Sequence, residues 1–235
     1  AEDMDHRRIV IPFRGPAGME EAIFSAVLLH SNPGQGTFVY RCRRLVRGEA
    51  QPQRLVIKVV GAPDGPHGHN PAFTQGRQEA EIHRMFSALG IAVPLVDSPH
   101  HVEITGREGG AVFPGLPVGR YALMVMHEVR TLKDYVEREM WSKSVEERLV
   151  QAASIGRDLR ELVSRLDRHG IAHGDIKPAN VGIDEHGRLL LLDFGHARRL
   201  HRHPVTGASW CHAIGGTEGM QSPELMRELR LQGGR

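Results

Sequence analysis

Cysteine is scarce in this chain: Cys42 and Cys211 are the only two in 235 residues, and they lie far apart. That excludes a disulfide-stapled scaffold and fits reduced thiols in a cytoplasm. Aromatic residues make up only 5% of the chain, and no basic stripe carries them interleaved, so nucleic acid is not an expected partner. No apolar run approaches the length of about eighteen residues that a membrane-crossing helix needs. Charge of one sign is not collected into blocks either. Lys and Arg total 30 against 28 Asp and Glu, for a net charge of +2 and a pI near 8.7. An initiator Met and an apolar signal region are both missing at Ala1, so the chain reads as an excised fragment.

What is present begins with length: 235 residues can bury a substantial core, as one two-lobed domain or two small ones. The most informative stretch runs from Gly170 to Arg198, GIAHGDIKPANVGIDEHGRLLLLDFGHAR. Asp175, Lys177 and Asn180 fall close together there, and Pro178 argues against a helix. A tight loop after a helix ending near His169-Gly170 is expected. Leu189 to Leu192 is a short apolar run with the look of a buried strand, delivering Asp193-Phe194-Gly195 at its end. Two carboxylates and an amide gathered this way can hold magnesium through oxygen ligands, and one carboxylate stays available to take a hydroxyl proton.

HGDIKPAN resembles the catalytic loop of protein kinases, and LLDFGHAR resembles their metal-binding segment. The resemblance implies Asp175 as catalytic base, Lys177 steadying the transferring phosphoryl group, and Asn180 and Asp193 as magnesium ligands. The arginine usual before the base is Gly174 here, which argues against activation through that arginine. Lys177 is similar to the serine/threonine type. The implied fold is α+β and two-lobed, with a small antiparallel-sheet N-lobe and a truncated helical C-lobe. Its expected divisions are a lead-in at 1–17, an N-lobe and hinge at 18–129, and a C-lobe at 130–235.

Further motifs fit the same family. NPGQGTFV carries Gly34 and Gly36, whose turn resembles the glycine-rich loop that approaches phosphates; a plain hairpin turn is the other reading. Before it, Met19 starts with helical spacing and Ala26 to Leu29 reads as a strand. Lys58 sits inside the apolar run LVIKVV and needs an anionic partner. It resembles the nucleotide-binding lysine of kinases, with Glu79 favoured over Glu81 as its partner. That helix is expected over 75–89, with Ile82, Met85, Phe86 and Leu89 on its apolar face. His67 and His69 belong to a solvated loop. YALMVM resembles the strand leading into the adenine-binding hinge, with Met124 or Met126 at the back of the pocket and Glu128 beyond it. Thr131 is a predicted N-cap. Ser144 with Glu147 predicts a capping box opening a helix to Arg168, whose residues Leu149, Ala152, Ala153, Leu159, Leu162, Val163 and Leu166 line one side.

After Gly195 the chain turns polar, and GGTEGMQSPEL resembles the end of a kinase activation segment, with Ser222 in the usual alanine's place. Thr206, Ser209 and Thr217 are candidate phosphorylation sites, outweighed by the frequency of loop hydroxyls. The chain stops shortly after Glu224, as a truncated or a minimal kinase does, and minimal kinases of this type are best known among bacterial effectors secreted into host cells. The resemblance implies an ATP- and Mg2+-dependent kinase acting on Ser or Thr of a protein substrate. Two alternatives stand beside it: a small-molecule kinase of the aminoglycoside or choline type, which shares HGD, and a kinase-like module that binds a host regulatory protein.

Overall fold

The computed structural model describes residues 7–15, 18–63, 65, 69–96, 101–104, 111–202, 204–206 and 209–210. Two units are resolved by their internal packing, Ala1–Arg84 with Pro94–Glu128, and Met85–Val93 with Val129–Arg235.

The first unit is built on an antiparallel sheet. Its strands are β1 (Arg7–Gly15), β2 (Gly18–Asn32), β3 (Thr37–Val46), β4 (Glu49–Ala50), β5 (Leu55–Ala62), β6 (His101–Ile104) and β7 (Gly119–His127). They are ordered β1-β2-β3-β5-β7-β6, with β4 paired to β3. Because side chains alternate along a strand, one face gathers Ile9, Phe24, Ala26, Tyr40, Cys42, Leu55, Ile57, Val59, Leu123 and Val125 into the core. The register sets Tyr40 opposite Ile57 and Ile57 opposite Val125, so the apolar row continues across strands. Lys58 therefore points to the other face, paired in register with Val39 and Met124.

Two expectations for the N-terminal stretch are corrected. Residues 7–15 are an integral strand, not a lead-in, because Ile9 and Ile11 alternate into the core at 0% and 1% exposure. Val10 also exchanges backbone hydrogen bonds with Val112, which partly occupies the outer edge of β1. The helical start expected from Met19 is strand throughout, since Gly15 and Gly18 close β1 onto β2 as a hairpin. Long-range pairing overrides the local spacing there.

Helix α1 (Pro71–Ala88) begins four residues before its predicted start. Asn70 explains this: its side-chain oxygen accepts from the Phe73 N–H at 2.9 Å, and Pro71 follows it at the first turn. The buried face is also rotated. Glu79, Ala80, His83 and Phe86 are buried, whereas Met85 and Leu89 are 41% and 39% exposed. Arg77 and Glu81 pair with each other on the outer side.

In the second unit, β8 (Arg130–Thr131) leads into α2 (Leu132–Arg138), where Thr131 accepts from the Asp134 N–H as N-cap. Helix α3 (Val145–Arg168) opens with the full capping box, Ser144 and Glu147 each satisfying the other's backbone N–H. The Ser144 backbone hydrogen bond holds the Glu147 carboxyl below its usual range. Only Leu162 and Leu166 of this helix are buried. Leu149 and Val163 are exposed at 66% and 43%, and Ala152 and Ala153 are exposed too. The expected single apolar side is thus half correct: Leu159, Leu162 and Leu166 face inward, and the rest face outward. Gly170 ends the helix with a left-handed backbone, φ +67°.

The remaining strands are short: β9 (Ile171–Ala172), β10 (Val181–Ile183), β11 (Leu189–Leu191), β12 (Arg198–Arg199), β13 (His201–Arg202) and β14 (Ser209–Trp210). Sheet β11-β10-β8 and the pair β12-β9 frame the loop at 173–180. No helix among the described residues is long and apolar enough to cross a membrane.

Candidate active site

In the second unit, the chain from β9 to β10 folds into a loop held by its own polar groups. Asp175 is buried, at 7% exposure, and its Oδ2 receives two donors. Lys177 Nζ lies 2.8 Å away and Asn180 Nδ2 2.9 Å away. The Asn180 amide also donates to the Asp175 carbonyl at 2.9 Å. Pro178 starts a short 3-10 turn, Pro178–Asn180, that swings Asn180 back toward Asp175. Charge-assisted bonds of this kind fix a carboxylate's direction, and they are stronger than neutral ones.

Asp193 reaches the same loop from β11. The Leu192 N–H donates to the Asn180 carbonyl at 3.0 Å, so Asp193 begins one residue beyond a direct tie to Asn180. Its backbone is left-handed, φ +58°, uncommon for a residue with a Cβ. Its carboxylate accepts from the Gly195 N–H at 3.3 Å. Asp175, Lys177, Asn180 and Asp193 are thereby gathered by one loop and one strand end of a single unit.

His173 locks that arrangement. Its Nε2 lies 2.9 Å from the Leu192 carbonyl, and its Nδ1 accepts from the Asp175 N–H at 3.4 Å. That is a neutral imidazole, donor on one side and acceptor on the other. Burial pushes its pKa down, against the raising influence of the Leu192 hydrogen bond and of Asp193 and Asp175. The ring also packs on Phe194, centroids 4.9 Å apart, and Phe194 stacks on Phe86 at 5.5 Å. The loop motif by itself gives His173 no role, and helical spacing gives Phe86 only a place on an apolar face. The signal for His173 was its place in the loop motif itself; nothing local marked Phe86 as Phe194's neighbour.

Gly174 has a physical reason in this structure. Its φ is +82°, and a Cβ there would lie 2.5 Å from the His196 carbonyl oxygen. The glycine lets the backbone after Asp193 close onto the loop. Gly174→Ala is expected to lose about 1–2 kcal/mol from the left-handed conformation alone, with the clash adding to it. Thermal unfolding checks this, and a melting temperature equal to that of the parent would contradict the close approach.

In the first unit, Lys58 Nζ donates to Glu79 at 2.6 Å, with side-chain exposures of 12% and 4%. Glu81 lies on the outer face with Arg77. Gly34 and Gly36 lie in the β2–β3 connection, which is a 3-10 turn, Pro33–Gln35, capped by Asn32. The Gly36 N–H donates to the Pro33 carbonyl, and the Gly36 carbonyl accepts from Gly61 at 2.9 Å. A Cβ on Gly36 would lie 2.1 Å from the Gly61 carbonyl oxygen, so its identity follows from packing against β5. Met124 and Met126 are buried in β7, at 1% and 6%. The Glu128 carboxylate is engaged by Arg41 at 2.7 Å and its N–H by the Arg54 carbonyl at 3.0 Å. Burial, with the nearby Glu128 carboxylate, pushes the Cys42 thiol up to about 12.

No group of three or more His, Cys, Asp or Glu side chains is gathered for a metal among the described residues. The donors present are an amide oxygen at Asn180 and a carboxylate at Asp193. That hard-oxygen set suits magnesium, which usually takes one or two protein ligands and fills its shell with water and phosphate oxygens.

The family model for the protein kinase domain matches residues 34–233, and the chain belongs to the protein kinase family. Serine/threonine-protein kinase mos of Gallus gallus is 32% identical over 109 residues, 41% of this chain and 30% of that protein. Dual specificity protein kinase zak2 of Dictyostelium discoideum is 33% identical over 98 residues, 40% of this chain and 15% of that protein. The chain thus spans less than a third of the length of these relatives. A solved ROP18 kinase domain in complex with AMP-PNP and sucrose shares the fold at a TM-score of 0.53 and 19% identity. That match covers 94% of this chain and 61% of the other. The segment GGTEGMQSPEL, with Thr217, Ser222 and Glu224, lies outside the described residues, as do His67 and Cys211.

Proposed function

We propose that the chain is the catalytic part of an ATP- and Mg2+-dependent serine/threonine protein kinase, transferring the γ-phosphate to a hydroxyl of a protein substrate. The observation that carries this reading is the double engagement of Asp175 Oδ2 by Lys177 and Asn180. A carboxylate held so firmly has a fixed direction in which to orient a hydroxyl and receive its proton. Lys177 would neutralise charge developing on the transferring group. Asn180 and Asp193 would hold magnesium, which supplies charge neutralisation across the phosphate oxygens when bound. Lys58, oriented by Glu79, would contact the nucleotide phosphates. Met124 and Met126 would bound the adenine side, with Gly34 and Gly36 near the phosphates. The carboxylate of Glu128, already engaged by Arg41, would leave only backbone groups of that stretch for adenine.

The test is transfer from labelled ATP, with magnesium, to a mixture of Ser-, Thr- and Tyr-containing peptides, an aminoglycoside and choline. Label on Ser and Thr is expected, and chelation with EDTA should remove it. Label appearing only on an aminoglycoside or on choline would overturn the reading. Gly174 is the feature that such small-molecule kinases share.

A further inference from the structure

Helix α3 buries one side and leaves a second apolar side bare. Val145, Leu149, Ala152, Gly156, Leu159 and Val163 follow one another at steps of four, three, four, three and four. That is the 3.5-residue repeat of a coiled-coil seam, carried over most of the helix. It lies about a quarter-turn round from buried Leu162 and Leu166. Val145, Leu149 and Val163 are 56%, 66% and 43% exposed, Ala152 and Gly156 are exposed, and Leu159 is half-buried. Gly156 is a second, independent observation. A glycine inside a helix is destabilising relative to alanine, yet a Cβ there would meet no atom within 4 Å. Packing within the chain gives no reason for this glycine, whereas the close approach of another backbone does.

The seam is complementary to itself. Run antiparallel against a second copy, it pairs Val145 with Val163, Leu149 with Leu159 and Ala152 with Gly156, each pair occurring twice about a two-fold axis. The small pair falls at the centre, where the helices come closest, and the larger pairs flank it. The same register brings exposed Glu146 of each copy beside exposed Arg160 of the other, with Ala153 meeting its own counterpart between them. A parallel pairing sets Arg160 beside Ile155 of the other copy and joins no opposite charges, so the charges choose the antiparallel one. At the other edge of the seam, the Arg148 guanidinium is turned onto the Trp141 ring, 5.4 Å from its centroid. We propose that α3 is a homodimer interface, its outer seam docked antiparallel on the same seam of a second copy and its flanks closed by two Glu146–Arg160 pairs. This does not depend on the kinase reading.

The test is sedimentation equilibrium of the full chain at micromolar concentrations, where a reversible species of twice 26.1 kDa is expected. Glu146→Arg and Arg160→Glu should each weaken it about tenfold, because the two-fold axis turns each change into two like-charge contacts. The two changes combined should restore parental association, a recovery that mere damage to the helix does not give. Leu149→Glu should abolish the dimer, with circular dichroism showing that the helix content stays. A parent chain that remains monomeric at about 100 µM overturns the proposal. So does a dimer that the single charge changes leave untouched, or one that the combined change fails to recover. A monomer in which Leu149→Cys resists a thiol reagent has its seam covered by its own chain, and that result overturns the proposal too.

Discussion

Asn in place of Asp175 should lower phosphoryl transfer by roughly 10²- to 10⁴-fold, the usual worth of a positioned general base. The reason lies in what the substitution keeps. An amide oxygen can still accept from Lys177 Nζ and Asn180 Nδ2, so the loop retains its two internal donors. What is lost is a group able to take the hydroxyl proton. Lys177 is 26% exposed, so water can compensate its charge and the fold should tolerate the change. Initial rates with labelled ATP measure the first effect, and thermal melting measures the second. The KM for ATP should move little. A variant that transfers phosphate at the parent rate ends the assignment of Asp175.

Lys58→Met should cost about 3–5 kcal/mol of stability, because it takes the cation away from a buried carboxylate. Glu79 is 4% exposed and lies 2.6 Å from Lys58, so solvent cannot replace the lost cation. The double variant Lys58→Met with Glu79→Leu should recover most of that loss, since well-packed apolar groups often replace a buried pair without penalty. Activity should not return with stability, because the cation proposed for the phosphates is gone in both. Chemical denaturation of the two single variants and the double one gives the coupling energy. If Lys58→Met is as stable as the parent, the pair is not the buried unit described here. If the double variant regains phosphate transfer, Lys58 has no part in it.

The sequence alone determined the features that close within about four residues. Ser144 and Glu147 form the capping box that their spacing implies, and Thr131 caps α2. Gly170 turns the chain out of α3, and Pro178 opens a single 3-10 turn where its sequence position argued against any helix. Such features depend on side chains satisfying nearby backbone groups, and a local reading captures that chemistry. The Asn70-Pro71 helix start is equally local, but the glycine- and histidine-rich stretch before it reads as loop.

Tertiary structure decided what faces what. Periodicity picked Ile82, Met85, Phe86 and Leu89 as the inner face of α1, but the buried face runs through Glu79, Ala80 and His83 to Phe86. A helix burying an ion pair hides polar residues that a hydrophobic count assigns to solvent. Helix α3 shows the reverse, with apolar Leu149 and Val163 exposed because burial depends on what packs there and not on the helix's own pattern. The same cause made 7–15 a strand: beyond its hairpin partner β2, Ile9 and Ile11 share a buried cluster with Tyr40, Ala111 and Phe113, which are distant in sequence. Local chemistry fixed the turns and caps and the reactive loop's shape, while contacts between distant segments chose the buried faces, because burial free energy belongs to pairs of surfaces and not to either one.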